Sequence, residues 1–577
     1  MSASRFFLAI LLSATLWASL AHALTVEVDA PDELRVLLER HLETARAGRL
    51  GEPLDEGEVA RLRGVSMETA RELLATEGYF SPQVTSTLTG AGEAQVLRYV
   101  VTPGPRTTVR GVKIEFAGAL AVGDAVARAR VERAFALPVG APFRQADWNA
   151  AKVALLRPLL TVRYPAARLA ASAAHVDPEA HAADLTLTVD SGPAFFYGEP
   201  VIRGNARYPE SIARHLNPMR AGKPYRQQDL LDYQLALEAS GYYTQATVRI
   251  DPDPTHAAAV PIEVDLVERP EKQFSVGAGV STDTGARVQA GWQYRDWRDE
   301  GLRLRFETRL ETRKQTGLAE LAWPRNRKGY ENSLGAQLRH EDIEGQETRS
   351  WLVAAKRNRK EGAIETTLAL QYQTETQTVG DAVDARNQAL TANYAWTKRA
   401  IGRAFYPRHG YVTTLQVGGA GEALLSDTSF LRLYARHTQY LPLGERGRLI
   451  MRGELGSVLA DTRDGIPTDF LFRAGGDTSV RGYAYQSLGR TLEGGVASVR
   501  HLATASIEAN HFFTETWGGA IFVDAGDAAD TPGSLSPVYG IGVGARYRSP
   551  VGPVNLDLAW GEETQEFRLH FSLGVSF

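Results

Sequence analysis

The chain has 577 residues, with 64 Lys and Arg against 68 Asp and Glu and a formal net charge of −4, a balance that offers no basic field to nucleic acid. Cysteine is absent, which excludes disulfide scaffolds, thiol catalysis and thiolate-held metals. Mean hydropathy is −0.24 and the uninterrupted apolar run is N-terminal, so a bundle of membrane helices is excluded, whereas a β-barrel, apolar on one strand face alone, is not.

Residues 1–23 have the layout of a secretory signal. Arg5 gives the positive start, Phe6–Leu12 opens the apolar core, and Ala21-His22-Ala23 is a small-residue cleavage site. The expectation is an exported bacterial protein whose mature chain begins near Leu24.

A short phrase then recurs: Gly51-Glu52-Pro53-Leu54, Gly140-Ala141-Pro142-Phe143 and Gly222-Lys223-Pro224-Tyr225. Each copy sets Gly and Pro ahead of an amphipathic helix with acidic residues near its first turn, where the helix dipole favours them. In the first copy Met67, Ala70, Leu73 and Leu74 keep helical spacing and Gly78 is placed to stop the helix. Extended segments are expected at Tyr79-Phe80 and Val96–Val101, at Arg163-Tyr164 and Leu185–Val189, and at Gly241–Tyr243 and Ile262–Val267. Each copy thus predicts strand–helix–helix–strand–strand over roughly 80 residues, an α+β module, with bounds at 24–104, 105–191 and 192–268. The pattern resembles the polypeptide-transport-associated (POTRA) domain. A small mixed sheet has open edges, and an open edge can accept an extended chain.

From 269 to 577 the period changes to two. Leu302, Leu304, Phe306 and Leu310 share one face and Arg303, Arg305, Glu307, Arg309 and Glu311 the other, while Phe567, Leu569, Phe571, Leu573, Val575 and Phe577 alternate with polar residues and glycine to the last position. An apolar face for acyl chains and a charged face for a wet lumen satisfy both sides of a transmembrane barrel. Seven of the nine Trp lie in this half, as interfacial girdles require. The length accommodates about 16 antiparallel strands.

Two motifs lie inside that half. Phe472-Arg473-Ala474-Gly475-Gly476 leads into Val480-Arg481-Gly482-Tyr483, and Phe522-Val523-Asp524-Ala525-Gly526 follows. A guanidinium in a confined lumen loses hydration, and a carboxylate in bidentate geometry restores its hydrogen bonds. The expectation is a loop folded back into the barrel and latched by Arg481 on Asp524. Gly482 frees the backbone to turn, Val480 and Tyr483 flank it, and Phe472, Gly475, Gly476, Phe522 and Gly526 support it.

Behind POTRA-like repeats, these motifs resemble the BamA-like outer-membrane assembly and export superfamily. Three modules are fewer than the general assembly factor carries and more than two-partner secretion exporters carry; a plug helix of the latter is not found. The count resembles the translocation and assembly module branch. That resemblance implies an outer-membrane location with the modules in the periplasm and a large, inner-membrane-anchored periplasmic partner of the TamB kind. It also implies unfolded outer-membrane clients such as autotransporters, contact with membrane lipid, and a seam between the first and last strands that opens to accept a client strand. Phe274, Gly277 and Gly279 mark the first seam strand and Phe567 and Phe577 the last; the glycines remove packing and weaken it. The alternatives are a protein exporter that passes unfolded substrate through the lumen and a passive porin-like channel.

No enzyme constellation is recognisable, and no cofactor, metal or nucleic acid is expected. Lys223 is followed by Pro, so there is no P-loop; Gly540, Gly542 and Gly544 alternate within a strand rather than opening a helix; His340-Glu341 lacks a second His; and His175 and His181 are expected in a polar loop.

Overall fold

The computed structural model describes residues 24–50, 54–90, 95–381, 385–402, 406–549 and 552–576. The leader and the first copy of the Gly-x-Pro phrase lie outside these. Among the described residues no helix is long and apolar enough to cross a membrane.

The first module contains β1 (Thr25–Asp29), α1 (Asp32–His41), α2 (Glu43–Leu50), α3 (Glu56–Thr76), β2 (Gln83–Thr89) and β3 (Val96–Thr102). The second contains β4 (Thr108–Ala117), α4 (Ala125–Ala134), α5 (Gln145–Leu160), β5 (Arg168–Asp177) and β6 (Ala182–Asp190), and the third β7 (Tyr197–Arg203), α6 (Glu210–Leu216), α7 (Gln227–Ala239), β8 (Tyr243–Ile250) and β9 (Val260–Glu268). In each sheet the last strand lies in the middle: β1-β3-β2, β4-β6-β5 and β7-β9-β8. Central strands carry the core, as with Leu97 and Tyr99 on β3 and Leu185, Leu187 and Val189 on β6, all buried. Leu74 of α3 and Leu155 of α5 close the cores from the helical side.

Three expectations are corrected here. The first module has a third helix, α2, which buries Ala45 and Ala47. The strands after α3 and α5 also begin later than Tyr79-Phe80 and Arg163-Tyr164. Gly78 and Arg163 take positive φ (95° and 70°), so the chain turns there, and Tyr164 plugs the core before the strand starts. His175 lies within β5 rather than in a loop. The Gly-x-Pro phrase proves structural: Val109 donates its N–H to Ala141 O (2.9 Å) and Phe143 donates to Thr107 O (2.9 Å), which seats the Phe143 ring in the core. The third copy repeats this, with Tyr225 donating to Phe195 O at 3.0 Å.

The C-terminal half is a closed antiparallel barrel of sixteen strands. They are β10 (Lys272–Ser281), β11 (Gly285–Trp297), β12 (Leu302–Glu311), β13 (Lys314–Ala322), β14 (Tyr330–Ile343), β15 (Gln346–Glu361), β16 (Ile364–Val379), β17 (Ala385–Ile401), β18 (Gly410–Ala420), β19 (Phe430–Leu443) and β20 (Gly447–Leu459). A small hairpin, β21 (Arg490–Leu492) and β22 (Gly495–Ala497), is not part of the wall sheet but docks on it, Val496 donating to Glu344 O, in the turn after β14, at 2.9 Å; β23 (His501–Phe512), β24 (Trp517–Ala529), β25 (Val538–Ser549), β26 (Gly552–Gly561) and β27 (Glu566–Ser576) complete the wall. The period-two pattern sorts the faces: Val288, Leu338, Leu368 and Ile521 are exposed on the outside, while Arg339, Glu375 and Asp524 are buried within.

Among the described residues the seam is the shortest ladder of the barrel. It runs from Gly277 opposite Ser576 to Ser281 opposite Ser572, five residues on each strand, whereas β15 and β16 pair over sixteen. Gly279 lies opposite Gly574, so the central pair of the seam has no side chains to interlock. Beyond it Thr282 donates to Phe571 O at 3.0 Å. Phe274 and Phe567 lie on the two seam strands but before the paired stretch of each in the described residues: Phe274 is opposite Trp292 on β11, Phe567 is opposite Trp560 on β26, and both rings face outward, 75% and 73% exposed. Phe577 lies outside the described residues.

Candidate functional site: the inward loop and the strands that hold it

Residues 460–500 join β20 to β23, and their side chains turn into the barrel. Phe472 exchanges backbone hydrogen bonds with Val499 (2.8 and 2.9 Å) and Ala474 with Leu488 (2.9 Å each way), which makes the loop a ribbon rather than a loose strand. The Phe472 ring stacks on Tyr434 of β19 with centroids 6.3 Å apart, and the Arg432 guanidinium lies 4.9 Å from its centre. Gly456 of β20 leaves room for that ring; a Cβ there would come within 2.5 Å of it. Farther round, Thr468 donates its N–H and its hydroxyl to Glu375 of β16, both at 2.8 Å, and Arg473 donates to Ile343 O of β14 at 2.9 Å. Gly475 and Gly476 both take positive φ and turn the ribbon toward β24.

At the tip Arg481 is 4% exposed and Asp524 on β24 is fully buried. Arg481 Nε donates to Asp524 Oδ2 (2.7 Å), Nη2 donates to Oδ1 (3.0 Å), and the Arg481 backbone N–H also donates to Oδ2 (3.1 Å). Ser506 Oγ adds a bond to Oδ1 at 2.6 Å, so the carboxylate is saturated. The remaining Arg481 nitrogen, Nη1, donates to Glu508 of β23 (2.6 Å) and to Asp557 of β26 (3.1 Å). Both acids are shared with Arg546 of β25, which donates to Glu508 at 3.0 Å and pairs with Asp557. Arg452 donates to Ser479 O (3.0 Å) and adds a third positive charge close to Asp524. The Arg481 guanidinium also lies 3.4 Å from the centre of the Phe522 ring. Charges removed from water are stable when each is paired and hydrogen-bonded; here one loop residue ties four consecutive strands, β23 to β26, in one network.

Gly482 has φ 96°, and a Cβ on it would meet Gly561 N at 2.9 Å. Its N–H donates to Nε2 of His570 on β27 at 2.9 Å, while Nδ1 of the same ring lies 2.7 Å from Asp477 Oδ1. Since Nε2 accepts, the proton sits on Nδ1 and bonds to Asp477. Asp477 in turn donates its backbone N–H to Asp283, in the turn after β10 (3.4 Å). The loop thereby touches the last strand and the turn that follows the first, on either side of the seam. Asp283, Asp477 and His570 bring two carboxylates and a ring nitrogen within 4.8 Å of one another. With both ring nitrogens engaged, the arrangement fits a hydrogen-bonded brace rather than a metal centre.

Of the residues singled out in the sequence, Val480, Arg481, Gly482, Tyr483, Phe522 and Asp524 lie together at this tip. Tyr483 donates to Tyr539 O at 3.3 Å and accepts from the Glu563 N–H. Phe472, Gly475 and Gly476 lie farther along the ribbon, and Gly526 packs against Thr504 within the wall. Glu508, Arg546, Asp557, His570 and Asp477 escaped notice, although Asp557 and His570 stand on the polar faces of alternating strands. The Gly540-x-Gly542-x-Gly544 run also has a use: a side chain at 540 would overlap the Arg481 carbonyl, and one at 542 would overlap the Phe522 ring. Gly540→Val is therefore expected to loosen the loop by about 1–3 kcal/mol without altering any charge, seen as faster proteolysis within 460–500 of an otherwise folded barrel.

Comparison with known proteins places this geometry. The Omp85 superfamily domain matches residues 271–577. The crystal structure of BamA from Haemophilus ducreyi lacking POTRA domains 1-3 aligns with a TM-score of 0.64 at 16% identity, covering 82% of this chain and 100% of that one. CdiB from Escherichia coli aligns at 13% identity over 91% of this chain and 99% of that one, with a TM-score of 0.48, and CdiB from Acinetobacter baumannii at 14% over 82% and 90%, with a TM-score of 0.47.

Proposed function

The chain belongs to the Omp85 superfamily, and from that premise we propose that it is an outer-membrane assembly factor that helps β-barrel proteins such as autotransporters into the bilayer. The observation that carries this reading is the seam, closed over five residues on each strand among the described residues, with glycine facing glycine, and braced from inside by a loop that touches its last strand and the turn after its first. Opening the seam exposes a strand edge within lipid, and an unfolded client strand can add to it by backbone pairing. The work is done by backbone hydrogen bonds and not by bond chemistry. Three α+β modules ahead of the barrel support assignment to the translocation and assembly module subunit, TamA, with the modules in the periplasm and their open sheet edges available to a TamB-like partner anchored in the inner membrane. A passive porin requires a clear lumen, and here residues 460–500 reach from β14 and β16 to β24 and β27.

The test is reconstitution of the full chain in liposomes with a urea-unfolded autotransporter barrel added from outside. The folded fraction, read as heat-modifiable migration, is expected to rise several-fold over empty liposomes. A yield equal to that of liposomes holding an unrelated porin would refute the proposal.

A further inference from the structure

We propose that the outer wall of β14–β16, at the end where the chain enters the barrel, binds the headgroup phosphate of an anionic phospholipid. The outward residues of β15 run Arg349, Trp351, Val353, Ala355, Arg357, Arg359. From Arg349 to Arg357 is eight residues, about 26 Å along a strand and about 20 Å across a bilayer at the usual tilt. The two arginines bound the apolar band, and Arg357 and Arg359 fall at headgroup depth on the entry side.

There they line a recess of about 950 Å³ together with Arg327, Lys328 and Tyr330. The guanidiniums of Arg357 and Arg359 lie 5.5 and 5.3 Å from the centre of the Tyr330 ring, and Arg357 Nε donates to Asn332 Oδ1 at 2.8 Å, which fixes its plane. The single carboxylate involved is Glu361, 2.9 Å from Arg359 at the exposed strand end; among the described residues Arg327, Lys328 and Arg357 have no ion-pair partner. A second recess of about 460 Å³ adjoins the first, sharing Arg357 and Leu368, and its other walls include Trp323, Leu334 and Leu370. A cationic fork suited to bidentate phosphate thus opens onto an apolar groove suited to acyl chain. Soluble phosphate would use the first recess alone; a lipid uses both. The site requires only that the barrel sit in a bilayer, not that its seam open.

Native mass spectrometry of the full chain, exchanged into detergent with equal phosphatidylglycerol and phosphatidylcholine, tests this. The protein is expected to retain phosphatidylglycerol about tenfold over phosphatidylcholine, and Arg357→Gln/Arg359→Gln to abolish most of that preference. Arg349→Gln, at the far rim, is expected to leave it unchanged. Arg357→Lys/Arg359→Lys keeps the charge but loses the fork and is expected to fall between, which covers the case of a glutamine variant that does not fold. Equal retention of the two lipids, an unchanged preference in the glutamine and lysine variants, or release of the lipid by millimolar inorganic phosphate would each overturn the proposal.

Discussion

Arg481→Ala is expected to release residues 460–500 from the lumen while the sixteen-stranded wall stays folded. The substitution removes a cation that donates to Asp524, Glu508 and Asp557, leaving Glu508 and Asp557 to share Arg546 and Asp524 with no direct cationic donor, Arg452 lying near it. Removing one member of a buried ion pair costs about 3–5 kcal/mol, because the other charge is stranded, so the docked population of the loop should drop by about two to four powers of ten. Proteolysis within 460–500 and ion conductance should both rise, and client insertion should fall to background. Arg481→Lys retains the charge without the fork and should fall between. Adding Asp524→Asn to Arg481→Ala relieves the stranded charge and should recover part of the barrel's stability but not the docked loop. Full insertion by Arg481→Ala would mean that the loop only fills space.

A disulfide between Ser281→Cys and Ser572→Cys is expected to stop insertion outright. These positions are directly opposite in the seam register, and opposed residues of antiparallel strands have Cα separations of about 4.5–5.5 Å, within the range a disulfide spans. The oxidised protein should insert clients at least about tenfold more slowly, a margin of some 1.4 kcal/mol in the barrier, and reduction should restore the rate. Val276→Cys with Ala290→Cys, opposed on the other ladder of the same first strand, is the control and should change little. An unchanged rate with the seam locked would eliminate lateral opening.

Much of this was legible because period two is a property of sheets. The alternation of Leu302–Glu311 and of Phe567 onward needs no tertiary knowledge to indicate a barrel with one lipid face. Arg481 and Asp524 were readable as a pair because a lumen guanidinium demands a carboxylate. Their company was not: Glu508, Arg546, Asp557 and His570 stand on four different strands, and which of them converge depends on stagger around the closed sheet. Gly277 and Gly279 indicate a weak first strand, yet nothing local indicates that, among the described residues, pairing across the seam begins at Gly277. The lag of β2 and β5 behind Tyr79-Phe80 and Arg163-Tyr164 has a plain cause, since a positive φ at Gly78 or Arg163 directs the next ring inward before extension starts.

Under the proposed function, the brace gives the seam a direction of entry. The loop holds the seam at one end, where Gly482 and Asp477 engage the His570 ring of β27, and the ladder runs from there to Gly277 opposite Ser576. A client strand would then displace β27 from the Gly277 end one rung at a time, in the manner of branch migration, each broken bond matched by a new one. Displacement of that kind would end at the brace formed by His570 and Asp477, so the last rung to yield would be the one under control of the loop.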